Sequence, residues 1–193
     1  MICHCTYCRA MGSQPWLWKL GDNYWFEIPK NASYAIKTKY NLQKNYVQGI
    51  KPVSSFDPNI EKVYYVWRDP VERFSSLFAH YFVRGNTRTR HATSFLQRLN
   101  YDTNKLSLEE KLEICISNID KFTSKEERHH WFPQHTFLDF RYNLHKLTME
   151  NLNESPFGPL EIENATKRRN IVLPALEKYV DEIKMIYAED YNL

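Results

Sequence analysis

Two short stretches of this chain carry side chains suited to holding anions, and a third carries imidazoles. In the first, Trp25-Phe26-Glu27-Ile28-Pro29-Lys30-Asn31-Ala32-Ser33, an apolar strand breaks into a turn and Ser33 opens a helix that buries Ala35, Ile36 and Tyr40. Such a turn aims its last amides and the N–H groups of the first helical turn at one point, where the macrodipole favours negative charge and Lys30 adds a full cation. A phosphate or a sulfate suits that point. The stretch lacks the glycines and the closing Gly-Lys-Ser/Thr of a Walker loop, so an ordinary strand-to-helix turn is the competing reading. The second stretch is Arg68-Asp69-Pro70, directly after the β-branched and aromatic run Lys62-Val63-Tyr64-Tyr65-Val66-Trp67. Asp69 is a good N-cap, Pro70 fits the first helical position and Glu72 the third, a capping-box pattern that fixes the helix start and leaves Arg68 at a strand end. The third is His129-His130-Trp131-Phe132-Pro133-Gln134-His135, an irregular loop of the kind that supplies site residues.

The elements that must position these residues follow from hydrophobic periodicity. A strand from about Tyr24 to Ile28 leads to the helix from Ser33 to about Lys44, whose lysines Lys37, Lys39 and Lys44 read as a solvated face. A broken segment from Val47 to Asn59, with Gly49, Pro52 and Pro58, reads as a short strand and a long loop. The run Lys62 to Trp67 reads as a buried parallel strand. The helix from Pro70 presents Val71, Phe74, Leu77, Phe78, Tyr81 and Phe82 to a core. Two strand-to-helix units predict an α/β fold, three layers α/β/α around a central parallel sheet, with both turns at the carboxyl ends of strands where ligands bind. Further on, Thr93 to Leu99 predicts a short helix. Ser107 with Glu110 caps another whose stripe is Leu108, Leu112, Cys115, Ile116 and Ile119. Thr136 to Phe140 predicts a strand, and Pro174 starts a final helix buried through Leu176, Tyr179, Val180, Ile183 and Tyr187.

With 193 residues the chain accommodates one domain, read as residues 24–193, preceded by a Cys- and Trp-rich segment, residues 1–23, in which Gln14 to Leu20 packs over the sheet edge. Hydrophobic residues at 42% and charged residues at 25% exclude a disordered chain. A net charge of +3 does not demand a nucleic-acid face and suits a local pocket for a polyanionic small molecule. No run approaches the ~20 apolar residues of a membrane span, and the first residues lack a signal-peptide pattern, which predicts a cytoplasmic protein. Cys3, Cys5 and Cys8 crowd beside His4, while Cys115 stands alone in a helical stripe. The cluster could supply zinc ligands, yet no second ligand pair follows at finger-like spacing, so a reduced, packed terminus is the favoured reading and no metal is assigned. Cys115 reads as core rather than nucleophile.

Pro29-Lys30-Asn31-Ala32-Ser33 resembles the 5′-phosphosulfate loop of sulfotransferases that use 3′-phosphoadenosine 5′-phosphosulfate (PAPS). Val66-Trp67-Arg68-Asp69-Pro70-Val71-Glu72-Arg73-Phe74-Ser75-Ser76 resembles their 3′-phosphate motif, an arginine at a strand end followed eight positions later by a serine on the helix. The order of the two motifs is similar to that of the carbohydrate (family 2 type) sulfotransferases. Weaker echoes are His130-Trp131-Phe132-Pro133-Gln134, Glu150-Asn151-Leu152, Asn164-Ala165-Thr166 and Tyr187-Ala188-Glu189-Asp190-Tyr191, so the likeness spans about Tyr24 to Leu193.

The resemblance implies a P-loop-like α/β fold and an enzyme that moves a sulfuryl group from PAPS to an acceptor hydroxyl, of a carbohydrate, without a metal. It implies Lys30 at the departing phosphate oxygen, Asn31, Ala32, Ser33 and Tyr34 lining the 5′ loop, and Arg68 with Ser76 on the 3′-phosphate; Asn164 joins the cofactor set. Ser33 is expected to be helix cap and ligand together. Arg73 reads equally as a phosphate contact or as a surface partner of Glu72 or Asp69, and Arg168 and Arg169 as a solvated basic turn. The general base is sought among His80, His130 and His135, with His130 the first choice. Where the family carries glycine in the loop, this chain has Ala32, tolerable if its φ stays negative. The implied partners are the nucleotide donor and a glycan hydroxyl, with no nucleic acid and no membrane span. The alternatives are a non-catalytic nucleotide- or zinc-binding module and a P-loop-like kinase, the latter needing a metal carboxylate that no motif provides.

Overall fold

The computed structural model describes residues 17–41, 56–83, 95–121, 131–160 and 166–193. It divides into two compact units, the first drawn from the chain up to Arg68, from Pro133 to Glu163 and Leu193, the second from Asp69 to Phe132 and Asn164 to Asn192. The architecture is α/β.

In the first unit β1 (Leu17–Leu20), β2 (Asn23–Phe26), β3 (Val63–Val66) and β4 (Leu144–Leu147) form a sheet in that order. The pairs β2/β3 and β3/β4 are parallel and β1 pairs antiparallel with β2, joined through a turn in which Gly21 takes φ 62°. The sheet is therefore mostly parallel rather than wholly so. The described part of the segment read as packing over the sheet edge, Leu17–Leu20, supplies the edge strand itself, and residues 14–16 lie outside the described residues. The register sets Trp18, Trp25, Tyr64 and His145 in one cross-sheet row. Because side chains alternate along a strand, that row shares a face with Val66 and Leu147, and these pack with Ile36 of helix α1 (Ser33–Lys39) and with Leu152, Phe157 and Leu160. Phe26, on the opposite face, meets the ring of Tyr142 edge-on at 5.8 Å.

Helix α1 is shorter than its periodicity predicts. It closes at Tyr40, and Asn41 takes φ 54°, a left-handed conformation that stops propagation. Of the lysines read as a solvated face, Lys37 is part-buried, Lys39 is exposed yet bonded, and Lys44 lies outside the described residues. Lys37 pairs with Glu27, which is 3% exposed and also accepts from Trp18 Nε1 at 2.9 Å. Lys39 donates to the carbonyls of Phe157 (2.9 Å) and Gly158. These side chains fasten α1 to β1, to the end of β2 and to the 156–158 turn. The predicted strand over Thr136–Phe140 is instead a 3-10 turn, Gln134–Phe137, opened by Pro133. The strand partner of β3 comes later, at Leu144–Leu147.

In the second unit α2 (Pro70–Phe78) starts as read: the Asp69 carboxylate accepts from the N–H groups of Val71 and Glu72, and Pro70 occupies the first turn. The helix loosens into π-type geometry over Ala79–Val83. Helix α3 (Leu108–Ser117) begins with a reciprocal capping box between Ser107 and Glu110. Pro174 does not open the last helix but lies inside α4 (Thr166–Leu176), which gives way two residues later to a 3-10 turn and then to α5 (Val180–Ile186). Proline withholds one N–H from the ladder, and its ring crowds the carbonyl four residues earlier, so the helix is weakened in the turn before it. Phe74, Leu77, Phe78, Tyr81, Leu112, Cys115, Ile116, Leu176, Ile183 and Tyr187 belong to one core. Burial pushes the Cys115 thiol far up, so it is a core residue and not a nucleophile.

Among the described residues no helix is long and apolar enough to cross a membrane. Replacing Lys37 by Met should destabilise the fold by about 1–3 kcal/mol, since Glu27 then stays buried without its cation. Equilibrium denaturation of the two proteins checks this; equal midpoints would show the pair to be energetically neutral.

Candidate functional site

The loop between β2 and α1 is built from two backbone positions that favour glycine. Asn31 N–H donates to the Ile28 carbonyl at 3.2 Å, closing a turn with Pro29 at its second position and Lys30, φ 71°, at its third. That is the φ pattern of a type II turn, whose third position is ordinarily glycine because a Cβ is strained there. Two residues on, Ala32 sits at φ 56° and ψ 8°, so the condition under which alanine would replace glycine without strain is not met. Ala32, not Ser33, is the N-cap, and no side chain caps the helix; Ser33 is the first helical residue, and the expected capping role of its hydroxyl is corrected. The first intrahelical bond runs from Ile36 N–H to the Ala32 carbonyl at 3.1 Å. The N–H groups of Ser33, Tyr34 and Ala35 are those that a helix start leaves without an intrahelical acceptor. Tyr34 is 65% exposed.

Arg68 belongs to the same unit. Its backbone follows the end of β3, and its Nη1 donates to the Lys30 carbonyl at 3.1 Å. Asn31 is fully buried, and its Nδ2 donates to the Val66 carbonyl at 2.7 Å and to Gln134 Oε1. Gln134, also fully buried, accepts from Arg68 N–H at 3.1 Å and donates from Nε2 to the Arg68 carbonyl at 2.8 Å. Thus Asn31, expected to line the ligand, spends its side-chain nitrogen and its backbone N–H inside the protein; only its Oδ1 lacks a partner. Lys30, Arg68 and the Asn31–Gln134 pair are brought together, although the first two are far apart in sequence.

Ser76 lies half-buried on α2 in the second unit, next to fully buried Ser75, whose Oγ has no hydrogen-bond partner. Arg73 is not a surface residue: it is 2% exposed and donates from Nη1 to the Phe132 carbonyl at 2.7 Å. Tyr187 hydroxyl donates to the neighbouring Trp131 carbonyl at 2.8 Å. Tyr191 donates to the helix-capping Asp69 carboxylate, and burial together with that carboxylate pushes its hydroxyl up to about 12. Of the candidate bases, His80 is half-buried with its ring edge-on to Tyr81, and His135 sits in the 3-10 turn beside Gln134. His130 and Asn164 lie outside the described residues, as do Cys3, His4, Cys5 and Cys8. Among the described residues no group of three or more His, Cys, Asp or Glu is placed to hold a metal ion.

Gln134 and Glu27 are the site residues that sequence reading passed over. Gln134 was visible only within the aromatic loop and as the last residue of a weak family echo, and nothing in its spacing predicts a contact with Arg68. Comparison of the chain with protein-family models, with curated proteins and with solved structures gave no match.

The strain at Ala32 yields a direct expectation. Left-handed backbone costs alanine about 1–2 kcal/mol, and glycine returns about 0.5–1 kcal/mol of that as unfolded-state entropy. Ala32→Gly should therefore stabilise the protein by about 0.5–1 kcal/mol and raise Tm by about 1–4 °C. A lowered Tm in calorimetry would show that the alanine methyl makes contacts worth more than the strain.

Proposed function

We propose that the chain is a PAPS-dependent sulfotransferase with a P-loop-like α/β/α domain that moves a sulfuryl group to an acceptor hydroxyl, of a carbohydrate, by in-line displacement. The observation that carries the reading is the hydrogen bond from Arg68 Nη1 to the Lys30 carbonyl, which sets the guanidinium of the second anion motif against the backbone of the first. A second support is the cost of the loop. Lys30 occupies a turn position where glycine would be easier, so its ammonium is retained against backbone strain, a pattern common where a side chain has chemistry to perform.

In this reading the nucleotide supplies an activated sulfuryl group. The Lys30 ammonium and the N–H groups opening α1 neutralise charge that gathers on the phosphate oxygen as its bond to sulfur breaks. The acceptor oxygen forms the new bond to sulfur, and its proton passes to a base, assigned to His130. Arg68 serves the 3′-phosphate. Its guanidinium here meets a neutral carbonyl, and exchange for a phosphate oxygen gives a stronger, charge-assisted bond. Ser76, Tyr34 and Asn164 are assigned to the nucleotide through the motifs alone.

The desulfated product 3′-phosphoadenosine 5′-phosphate (PAP) is the simplest probe. At about 100 times its Kd it should add about 2.7 kcal/mol of stability, a rise of several degrees in Tm, with a chelator present throughout. No shift at saturating PAP sinks the proposal, and binding without sulfate transfer from PAPS to a panel of sugars reduces it to a binding module. Arg68→Ala should weaken PAP binding about tenfold or more, the loss of a charge-assisted contact. Lys30→Gly separates backbone from chemistry: Tm should hold or rise while turnover at saturating PAPS falls at least about a hundredfold, as for loss of a transition-state donor. Full turnover in Lys30→Gly overturns the assignment of Lys30.

A further inference from the structure

The buried carboxamides beside the loop do more than fill space. β3 ends at Val66, and Trp67 N–H still reaches across to the Leu147 carbonyl at 2.7 Å. The N–H and carbonyl of Arg68, like those of Val66, face the other neighbour, on the side of β2, which has already ended at Phe26. Gln134 takes over there, with its Oε1 on Arg68 N–H and its Nε2 on Arg68 carbonyl, the two-point pairing that a neighbouring strand would have made. The same Oε1 accepts from Asn31 Nδ2, and Asn31 Nδ2 also reaches the Val66 carbonyl. Both side-chain amides have only one workable orientation, since a flip of either would set oxygen against oxygen. The hydrogen bonds of this pair reach the backbone of Val66 and Arg68, at the end of β3.

We propose that Gln134 is a positioning residue that fixes the separation of Lys30 and Arg68, and so the spacing of the two anions the protein can hold. The inference rests on the nucleotide reading above. Gln134 touches no ligand; it acts through the Arg68 backbone and through Asn31. Without it, Asn31 Nδ2 loses one acceptor and both backbone polar groups of Arg68 lose a partner at a part-buried position, so the loop and the arginine are no longer referenced to one another.

The test compares PAP affinity, by calorimetry at a temperature where each protein is folded, with Tm measured separately. Gln134→Ala and Gln134→Leu should raise the PAP Kd, and the KM for PAPS, by at least about tenfold, because Arg68 is then no longer held in line with its anion. Gln134→Glu keeps the accepting oxygen but sets a carboxylate against the Arg68 carbonyl, and should fall between wild type and Gln134→Ala. The Asn31→Ala/Gln134→Ala double variant should bind PAP no worse than the weaker single, the signature of residues acting as a unit. If Gln134→Ala does not fold, Gln134→Glu carries the comparison. A lowered Tm with unchanged PAP affinity would make Gln134 a structural residue only and overturn the proposal while leaving the nucleotide site standing. Failure of the wild-type protein to bind PAP sinks both together.

Discussion

The region around the anion loop depends on one buried pairing, the carboxamides of Asn31 and Gln134. Each is excluded from water, so each hydrogen bond it makes is strong and each one lost is expensive. Between them they join three segments that secondary structure leaves unconnected: the turn after β2, the end of β3 and the turn opened by Pro133. A turn that holds Lys30 at positive φ and Ala32 in the left-handed region does not keep that shape by local preference. Surrounding contacts must over-determine it, and the pairing through Asn31, at the middle of the strained stretch, is where they do so. The other anchor is Glu27, one residue past β2, whose carboxylate is shared between Trp18 and Lys37.

Much of this was legible from residue types. The start of α2 follows from Asp69-Pro70 and the start of α3 from Ser107 and Glu110, because capping is a local interaction that sequence alone encodes. The buried positions of α2 and the burial of Cys115 follow from periodicity. What sequence could not show is long-range or strained. Lys37 and Lys39 look like solvent-facing helix residues until the sheet places Glu27 and the 156–158 turn against them. Thr136–Phe140 has the composition of a strand, yet Gln134 commits that segment to Arg68 and Asn31 and it folds as a 3-10 turn. The backbone of Ala32 was hinted at only by the glycine that the resembled loop carries there, since alanine itself gives no sign of a conformation it disfavours.

The candidate site itself was half legible. Lys30 and Arg68 were marked by their places at strand ends, and the fold brings them to one loop. Asn31 was marked for the wrong reason: its side chain orders the loop instead of facing out of it. Arg73, read equally as a phosphate contact or as a surface partner of Glu72 or Asp69, is a buried donor to the Phe132 carbonyl, a role that the pattern of a helix start does not distinguish from either.

The pairing of Gln134 with Arg68 also has a topological side. Arg68 is where the chain leaves the first unit and Pro133 is where it returns, so two hydrogen bonds staple the base of everything between them. Both hydrogen bonds lie wholly within the first unit, so the crossing out of the sheet is closed by groups of the sheet's own unit.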